Sequence, residues 1–221
     1  MATHPILYSF RRCPYAMRAR MGLVVSNIVV EIREIDLKNK PDSLREASPK
    51  STVPTLVLPN GAVIAESLSI LQWALLRGDP EGWAAFDVDT MGDMLSLIGQ
   101  NDEAFVKYLK QYKYYNRFPE ASQQTYRQAG EGFLKVLEKR LQAQPFLFAD
   151  HLSLADIALF PFVRQFSCVD PAWWDDQTNY PKLAAWIIYL TNAAVFQKAM
   201  IKYPVWDPHA PCAYFPAHFI G

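Results

Sequence analysis

The hydrophobic pattern at the start of the chain switches from a strand period to a helix period and back. Residues 6–10 form a short apolar run suited to a buried strand, and Pro14 follows at a position where a first helical residue tolerates a missing N–H. Apolar spacing predicts a helix from there to about Asn27. The β-branched stretch 28–35 predicts a second strand, so this segment is predicted to be strand, helix, strand.

A polar stretch over residues 36–51 separates that segment from a second hydrophobic one. Apolar residues 56–58 lead into a Pro-Asn-Gly turn at 59–61, and a further short run over 62–65 follows it, which predicts a hairpin. From residue 66 to 76 the apolar positions recur at helical spacing. The pattern therefore predicts a βαβ unit followed by a ββα unit.

Glycine and proline cluster in residues 77–82 and mark a domain boundary. Beyond this cluster, helical periodicity replaces almost all of the strand signals. We therefore predict an α/β domain over residues 1–77 and an all-helical domain, a helical bundle, over residues 84–221.

The predicted helical domain begins with one long amphipathic helix from about Met91 to Tyr112. Further along the chain, Ser153 and Asp156 have the spacing of a capping box, in which the side chains at a helix start satisfy free amide groups, and this predicts a buried helix. The tail from Tyr203 onward is rich in proline and aromatic residues and has no periodicity.

Composition narrows the classes of function open to these 221 residues. Basic and acidic residues both number 22, and this neutrality argues against broad binding to nucleic acid or to anionic membranes. Three widely spaced cysteines argue against a disulfide framework, and four scattered histidines give no reason to expect a metal site. With no secretory signal and no membrane-spanning apolar run, we expect a soluble, cytoplasmic protein.

Cys13 carries the clearest chemical signal, because it directly precedes the first predicted helix. Free amides and the positive end of a helix favour a thiolate. An ordinary cysteine with a pKa of about 8.5 is only roughly 3% ionised at pH 7, so such stabilisation would supply a nucleophile. Arginines at positions 11, 12, 18 and 20, with no acid between them, would favour the thiolate further and attract an anionic substrate. A small, unreactive, buried cysteine is the alternative.

Several short motifs follow one another in a fixed order. They are Cys-Pro-Tyr-Ala-x-Arg at 13–18, Leu-Lys-Asn-Lys-Pro at 37–41, Val-Pro at 53–54, Glu-Ser at 66–67 and, in the helical half, Ser-x-x-Asp at 153–156 with Pro161. In this order the chain resembles the cytosolic glutathione transferases over nearly its whole length, and most closely their cysteine-type omega class. The resemblance implies a thioredoxin-like N-terminal domain followed by a C-terminal helical bundle.

The resemblance also implies a binding site for glutathione, which serves the family as co-substrate. Val53 and Pro54 would be joined by a cis peptide bond, and the Val53 backbone would pair with the cysteinyl part of glutathione like an added strand. Ser67 and nearby helix amides would hold the γ-glutamyl carboxylate, Glu66 the ammonium group and Lys40 the glycyl carboxylate. Without the resemblance, Pro54 is also typical of a strand start, while Glu66 and Ser67 indicate a plain helix start and Lys40 a solvated loop residue.

The first motif ends in alanine at position 16, so it lacks the second cysteine that would resolve a disulfide within the protein. We therefore predict that Cys13 forms a mixed disulfide with glutathione and is released by a second glutathione. Omega-like enzymes transfer thiols, remove glutathione from adducts and reduce dehydroascorbate. Two alternatives stay open: conjugation of glutathione activated by the hydroxyl of Tyr8 or Ser9, and a non-catalytic binding or regulatory module.

The second substrate, a small electrophile or disulfide, is expected between the two predicted domains. Phe10, Arg11 and Tyr15 would contact it from the first domain, and Tyr108 and Tyr112 from the long helix. Those tyrosines belong to an aromatic stripe flanked by lysines, a pattern that is also typical of a packed core with a solvated flank. The resemblance further implies a homodimer.

Overall fold

The computed structural model of the chain describes residues 3–176 and 179–216. Residues 1–2 and 217–221, at the outer ends of the two predicted domains, lie outside the described residues. Within the described ranges, no helix is both long enough and apolar enough to span a bilayer.

A mixed sheet with the strand order β4-β3-β1-β2-β5 forms the centre of the first unit. β1 runs parallel to β2, β3 is antiparallel to β1, β4 is antiparallel to β3, and β5 is antiparallel to β2. The strands are β1 (Ile6–Ser9), β2 (Val30–Glu34), β3 (Thr55–Val57), β4 (Val63–Ile64) and β5 (Tyr214–Phe215).

Ten α-helices occur in the described part of the chain. A π-helical segment, Asn101–Phe105, joins the fourth to the fifth, and a 3₁₀ turn, Tyr115–Arg117, follows the fifth closely. The helices are α1 (Pro14–Val25), α2 (Asp42–Ala47), α3 (Ser67–Leu75), α4 (Val88–Gln100), α5 (Val106–Lys113), α6 (Gln123–Ala143), α7 (Leu154–Ser167), α8 (Pro171–Asp176), α9 (Pro181–Asn192) and α10 (Ala194–Ala199).

Neighbouring residues of β1 supply two apolar clusters on opposite faces of the sheet, as the two-residue period of a strand requires. Leu7 packs in one cluster with residues of α1 and α3. Tyr8 packs in the other with Ile35 and with Leu44 of α2. The predicted βαβ and ββα units are therefore present. Helix α2 lies within the polar stretch 36–51, where the sequence pattern predicts no helix.

Helices α1 and α3 approach closely at Gly22, where an added Cβ would lie 2.6 Å from Leu71 Cδ1 and 3.1 Å from Leu71 Cα. We expect Gly22→Ala to lower the free energy of unfolding by about 1–3 kcal/mol, because the larger residue forces the helices apart. Gly92→Ala in α4 is the control, since its Cβ meets no described atom within 4 Å. Urea unfolding compares the two, and equal effects would contradict this packing.

The second unit, Gly82–Asn192, is a bundle built mainly from α4, α5, α6, α7 and α9. Its predicted capping box is confirmed: Ser153 Oγ accepts from the Asp156 amide, and the Asp156 carboxylate accepts from the Ser153 amide at 3.0 Å. The single long helix predicted at its start is divided into α4, the π segment and α5. A π segment adds one residue to a helical turn and shifts the apolar positions only slightly. The sequence pattern therefore looks like that of one continuous helix.

The end of the chain corrects the predicted domain limits. The described residues after Asn192 belong with the first unit, and the predicted helical domain over 84–221 is too long at its C-terminal end. There α10 packs against α1, and β5 pairs with β2, with Phe215 fully buried. Pairing with β5 covers an edge of the sheet that would otherwise stay open. A strand of two residues is too short to show a period in the sequence, so β5 could not be predicted.

Candidate active site at the start of the first helix

Cys13 stands at the N-terminus of α1, as the sequence pattern predicts. A turn follows β1, in which the Cys13 amide donates to the Phe10 carbonyl oxygen at 2.9 Å. Cys13 then takes the N-cap position, with an extended backbone (φ −80°, ψ 123°), and Pro14 is the first helical residue. Pro14 suits that position because the first amide of a helix needs no hydrogen bond within the helix. The thiol is therefore presented, half-buried, at the helix end where an anion is favoured.

The loop before β3 brings the backbone of Val53 next to this thiol. The peptide bond between Val53 and Pro54 is cis, as the resemblance implies. The Cys13 thiol donates to the Val53 carbonyl oxygen, with a distance of 3.7 Å between Sγ and O. Thr55 Oγ1 donates to the Thr52 carbonyl oxygen at 2.8 Å and closes the loop. The Cys13 sulfur and the Val53 peptide group therefore lie close together in the first unit.

The start of α3 carries the next two predicted residues. Glu66 is the N-cap, and Ser67, the first helical residue, is buried. Ser67 Oγ accepts from Arg18 Nη1 at 3.3 Å, which joins α1 to the N-terminus of α3. Glu66 is exposed, and its carboxylate forms an ion pair with Lys50 at 2.9 Å. Neither partner is predicted from the sequence: Arg18 lies inside the first motif, whereas Lys50 carries no local signal.

Lys40 contacts the loop that precedes β3. Its Nζ donates to the Ser51 carbonyl oxygen at 2.7 Å, and the Ser51 amide donates to the Ser48 carbonyl oxygen. Lys40 and Lys50 therefore both lie beside the segment that leads to Val53. Cations beside the segment whose Val53 carbonyl contacts Cys13 suit a small ligand that carries carboxylates.

The four arginines around Cys13 have different environments, which corrects their prediction as one basic cluster. Arg12 is exposed, Arg11 is half-buried and Arg18 contacts Ser67. Arg20 is fully buried, lies 3.7 Å from the Glu34 carboxylate and has its pKa lowered by burial. Arg12 lies in the turn before α1, whereas Arg18 and Arg20 lie within the helix and are buried. The positive charge available to a ligand is therefore smaller than the local count suggests.

The alternative hydroxyls are inside the first unit. Tyr8 is almost fully buried, and its hydroxyl accepts from Arg33 Nη1 at 2.8 Å. It packs with Ile35 on the α2 face of the sheet. Ser9 is fully buried too. In this arrangement neither hydroxyl is open to a ligand, whereas the Cys13 thiol is half-buried at a helix end.

The residues predicted to contact the second substrate fall into two groups. Phe10, Arg11 and Tyr15 are half-buried in the first unit, and Tyr108 is half-buried in α5. The prediction that Tyr112 contacts the substrate is wrong. Its ring is 1% exposed and lies 4.9 Å from the Phe166 ring inside the helical unit, and burial raises the pKa of Tyr112 to about 12. Within the aromatic stripe of the predicted long helix, Tyr112 therefore faces the core of the helical unit and does not contact substrate.

Comparison with known proteins shows the family. The Glutathione S-transferase, N-terminal domain family matches residues 7–81, and the Glutathione S-transferase, C-terminal domain family matches residues 120–188. The two matches together cover well over half of the chain. The chain belongs to the cytosolic glutathione transferase superfamily, as the motifs predict.

Individual relatives agree with this membership. Glutathione S-transferase U19 of Arabidopsis thaliana is 28% identical over 207 residues, which cover 85% of each chain. Glutathione S-transferase omega-1 of Rattus norvegicus is 44% identical over 62 residues, 28% of this chain and 26% of that one. The structure of glutathione transferase Omega 3C from Trametes versicolor aligns with a TM-score of 0.76 at 18% identity, over 90% of this chain and 85% of that one. That structural likeness confirms the predicted fold.

Proposed function

We propose that this protein is a glutathione-dependent thiol transferase in which Cys13 forms a mixed disulfide with glutathione. One observation carries the proposal: the Cys13 thiol lies at the N-terminus of α1 and 3.7 Å from the Val53 carbonyl oxygen. Membership of the superfamily supports glutathione as the co-substrate. The cysteine adds a reactive sulfur at the place where glutathione's own sulfur would be bound.

The proposed reaction consists of two thiol–disulfide exchanges. The Cys13 thiolate attacks the glutathionyl sulfur of a mixed disulfide, a bond forms between those two sulfurs, and the substrate thiolate leaves and takes up a proton. A second glutathione thiolate then attacks the glutathionyl sulfur on Cys13. Oxidised glutathione leaves, and the Cys13 thiolate is restored. Over the cycle, one glutathione thiol and the substrate mixed disulfide give oxidised glutathione and the substrate thiol, so the cycle needs no metal and no second protein cysteine.

Binding of glutathione would use groups that already surround the thiol. We propose that the cysteinyl amide of glutathione donates to the Val53 carbonyl oxygen in place of the Cys13 thiol, in the manner of an added strand. Ser67 and the amides of α3 would hold the γ-glutamyl carboxylate, and Glu66 the ammonium group. Lys40 would meet the glycyl carboxylate. Glu66 would exchange its surface pair with Lys50 for the ligand, a small cost for an exposed ion pair.

The second substrate remains a small electrophile or disulfide, such as a glutathione adduct or dehydroascorbate. Phe10, Arg11 and Tyr15 are proposed contacts because they flank Cys13 along the chain, while Tyr108 of the helical unit stays a prediction from the sequence. A homodimer, which is typical of the family, is part of the proposal. Conjugation through Tyr8 or Ser9 has less support, because both hydroxyls are buried.

Intact-protein mass spectrometry tests the proposal. Incubation with oxidised glutathione should add one glutathionyl group to the protein, peptide mapping should place it on Cys13, and excess reduced glutathione should remove it. Cys168 and Cys212 are exposed and serve as internal controls for unselective modification. Equal labelling of all three cysteines, or no adduct on Cys13, would leave the binding or regulatory module as the better interpretation.

A further inference from the structure

We propose that Glu34 is a positioning residue, which holds the turn that presents Cys13 and so sets the reactivity of that thiol. The inference rests on the proposed function of Cys13. Glu34 belongs to none of the motifs that point to the glutathione site, and it lies on a different element from the thiol.

The first contact joins Glu34 to the turn. Glu34 is the last residue of β2, and it pairs with Ser9 at the end of β1. From there its Oε1 accepts a hydrogen bond from the backbone amide of Arg11. Arg11 lies between Phe10 and Cys13, the two residues whose backbone hydrogen bond closes the turn. One side chain thus ties the middle of the turn to the end of the neighbouring strand.

Two further contacts hold Glu34, one at its side chain and one at its backbone. Arg20 of α1 is fully buried, with Nη2 3.7 Å from Glu34 Oε2, and its guanidinium lies over the rings of Tyr203 (5.7 Å) and Phe215 (5.1 Å). The Trp206 amide donates to the Glu34 carbonyl oxygen at 2.7 Å. The C-terminal segment therefore covers the pair, and Glu34 is only 7% exposed.

The buried pair of Glu34 and Arg20 is not expected to add much to the stability of the fold. Burial raises the pKa of Glu34 and lowers that of Arg20, so the surroundings disfavour both charges. Within the described residues, Glu34 Oε2 and the three guanidinium nitrogens of Arg20 have no hydrogen-bond partner. A buried ion pair of this kind is often no more stable than apolar side chains of similar size. The hydrogen bond that the carboxylate does accept goes to the turn before Cys13.

Loss of this hydrogen bond would act on Cys13 through the backbone. Without the acceptor, the Arg11 amide would turn toward water, and the turn would sample other conformations. The place of Sγ at the N-terminus of α1 and beside Val53 depends on this turn. A displacement of about 1 Å in a reacting group can reduce a rate by on the order of 100-fold. We expect a smaller loss of about 10-fold, because Pro14 and α1 still restrict the cysteine.

Two conservative variants separate the hydrogen bond from the charge. Glu34→Gln keeps an oxygen at the same reach and loses the charge, whereas Glu34→Asp keeps the charge and withdraws the oxygen from Arg11. The readout is the rate at which iodoacetamide alkylates Cys13, followed by peptide mass spectrometry, with Cys168 and Cys212 as internal references. We expect alkylation to be about 10-fold slower in Glu34→Asp and within about twofold of the parent protein in Glu34→Gln.

Steady-state kinetics and a matched control complete the test. In Glu34→Asp, kcat for thiol transfer should fall while KM for glutathione stays nearly constant. Glu31→Asp and Glu31→Gln, at a glutamate of the same strand that pairs with Arg33, should leave Cys13 alkylation unchanged. A slower Gln variant beside a normal Asp variant would assign the effect to charge and overturn the proposal. Normal alkylation in both variants with a lower Tm would overturn it in favour of a purely structural role.

A measurement on the parent protein covers the case in which a variant does not fold. The Arg11 amide should exchange with solvent at least about 100-fold more slowly than an unprotected amide, and rapid exchange would overturn the proposal. Alkylation and amide exchange need no glutathione. If Cys13 fails to form the glutathione adduct while both results hold, the proposed function fails and the positioning of Cys13 by Glu34 stands.

Discussion

Replacement of Cys13 by serine should lower kcat/KM for thiol transfer by at least about 1,000-fold, a loss of the size seen when a covalent nucleophile is removed. A serine oxygen cannot form the mixed disulfide with glutathione, and its hydroxyl ionises far too weakly to attack one. Glutathione affinity should change little, because the Val53 backbone, Ser67 and Lys40 are untouched. A coupled assay with a glutathionylated small thiol measures the rate, and calorimetry measures the affinity.

Three control variants make this result specific. Cys168→Ser and Cys212→Ser should keep full activity, because Cys168 is the C-cap of α7 and Cys212 precedes β5, so neither thiol lies at a helix N-terminus. Tyr8→Phe should keep it too, since the Tyr8 hydroxyl is buried against Arg33. Thiol transfer that survives in Cys13→Ser and disappears in Tyr8→Phe would overturn the proposed function in favour of hydroxyl-activated conjugation.

Replacement of Asp156 by alanine should lower the free energy of unfolding by about 4–6 kcal/mol. Asp156 is fully buried, and its carboxylate accepts from the amides of Ser153 and Leu147, both at 3.0 Å, from the Trp186 indole at 2.8 Å, and from Ser153 Oγ. Loss of the carboxylate leaves buried donors without acceptors, at about 1–3 kcal/mol each. Since domains are stable by only about 5–15 kcal/mol, this variant should be largely unfolded or aggregated at 37 °C.

Urea or thermal unfolding tests this expectation, with two comparison variants. Asp156→Asn keeps one carbonyl oxygen and should lose about half as much stability. Asp150→Ala removes an exposed aspartate from the preceding loop and should change stability by no more than about 0.5 kcal/mol. A loss below about 1 kcal/mol in Asp156→Ala would contradict the view that this carboxylate joins the loop at Leu147, the start of α7 and the Trp186 side chain of α9.

The elements that could be predicted from the sequence are those with local causes. Pro14 after an apolar run marked the start of α1, and the Pro-Asn-Gly turn at 59–61 marked the β3–β4 hairpin. Ser153 and Asp156 marked the start of α7, because a capping box is made by side chains three residues apart. Each of these signals arises within one turn or one strand, so no knowledge of distant residues was needed.

The elements that were missed depend on contacts between distant residues. β5 has two residues and exists because the edge of β2 lies open beside it. Tyr112 belongs to the core because Phe166 packs on it, although its stripe suited a ligand equally well. Arg20 carries the same formal charge as Arg12, yet it is buried against Glu34. In each case the partner is at least 14 residues away, as the residue numbers show.

The sequence by itself determined the family, the order of the main elements and the position of Cys13 at a helix start, because these depend on residue type and short spacing. Only the tertiary structure decided which arginines are buried, which tyrosines are core, and which strand pairs with the edge of β2. It also brought Glu34 against the turn that carries Cys13. Burial and pairing depend on which distant residues meet. Local sequence patterns do not show these contacts, and only the folded structure does.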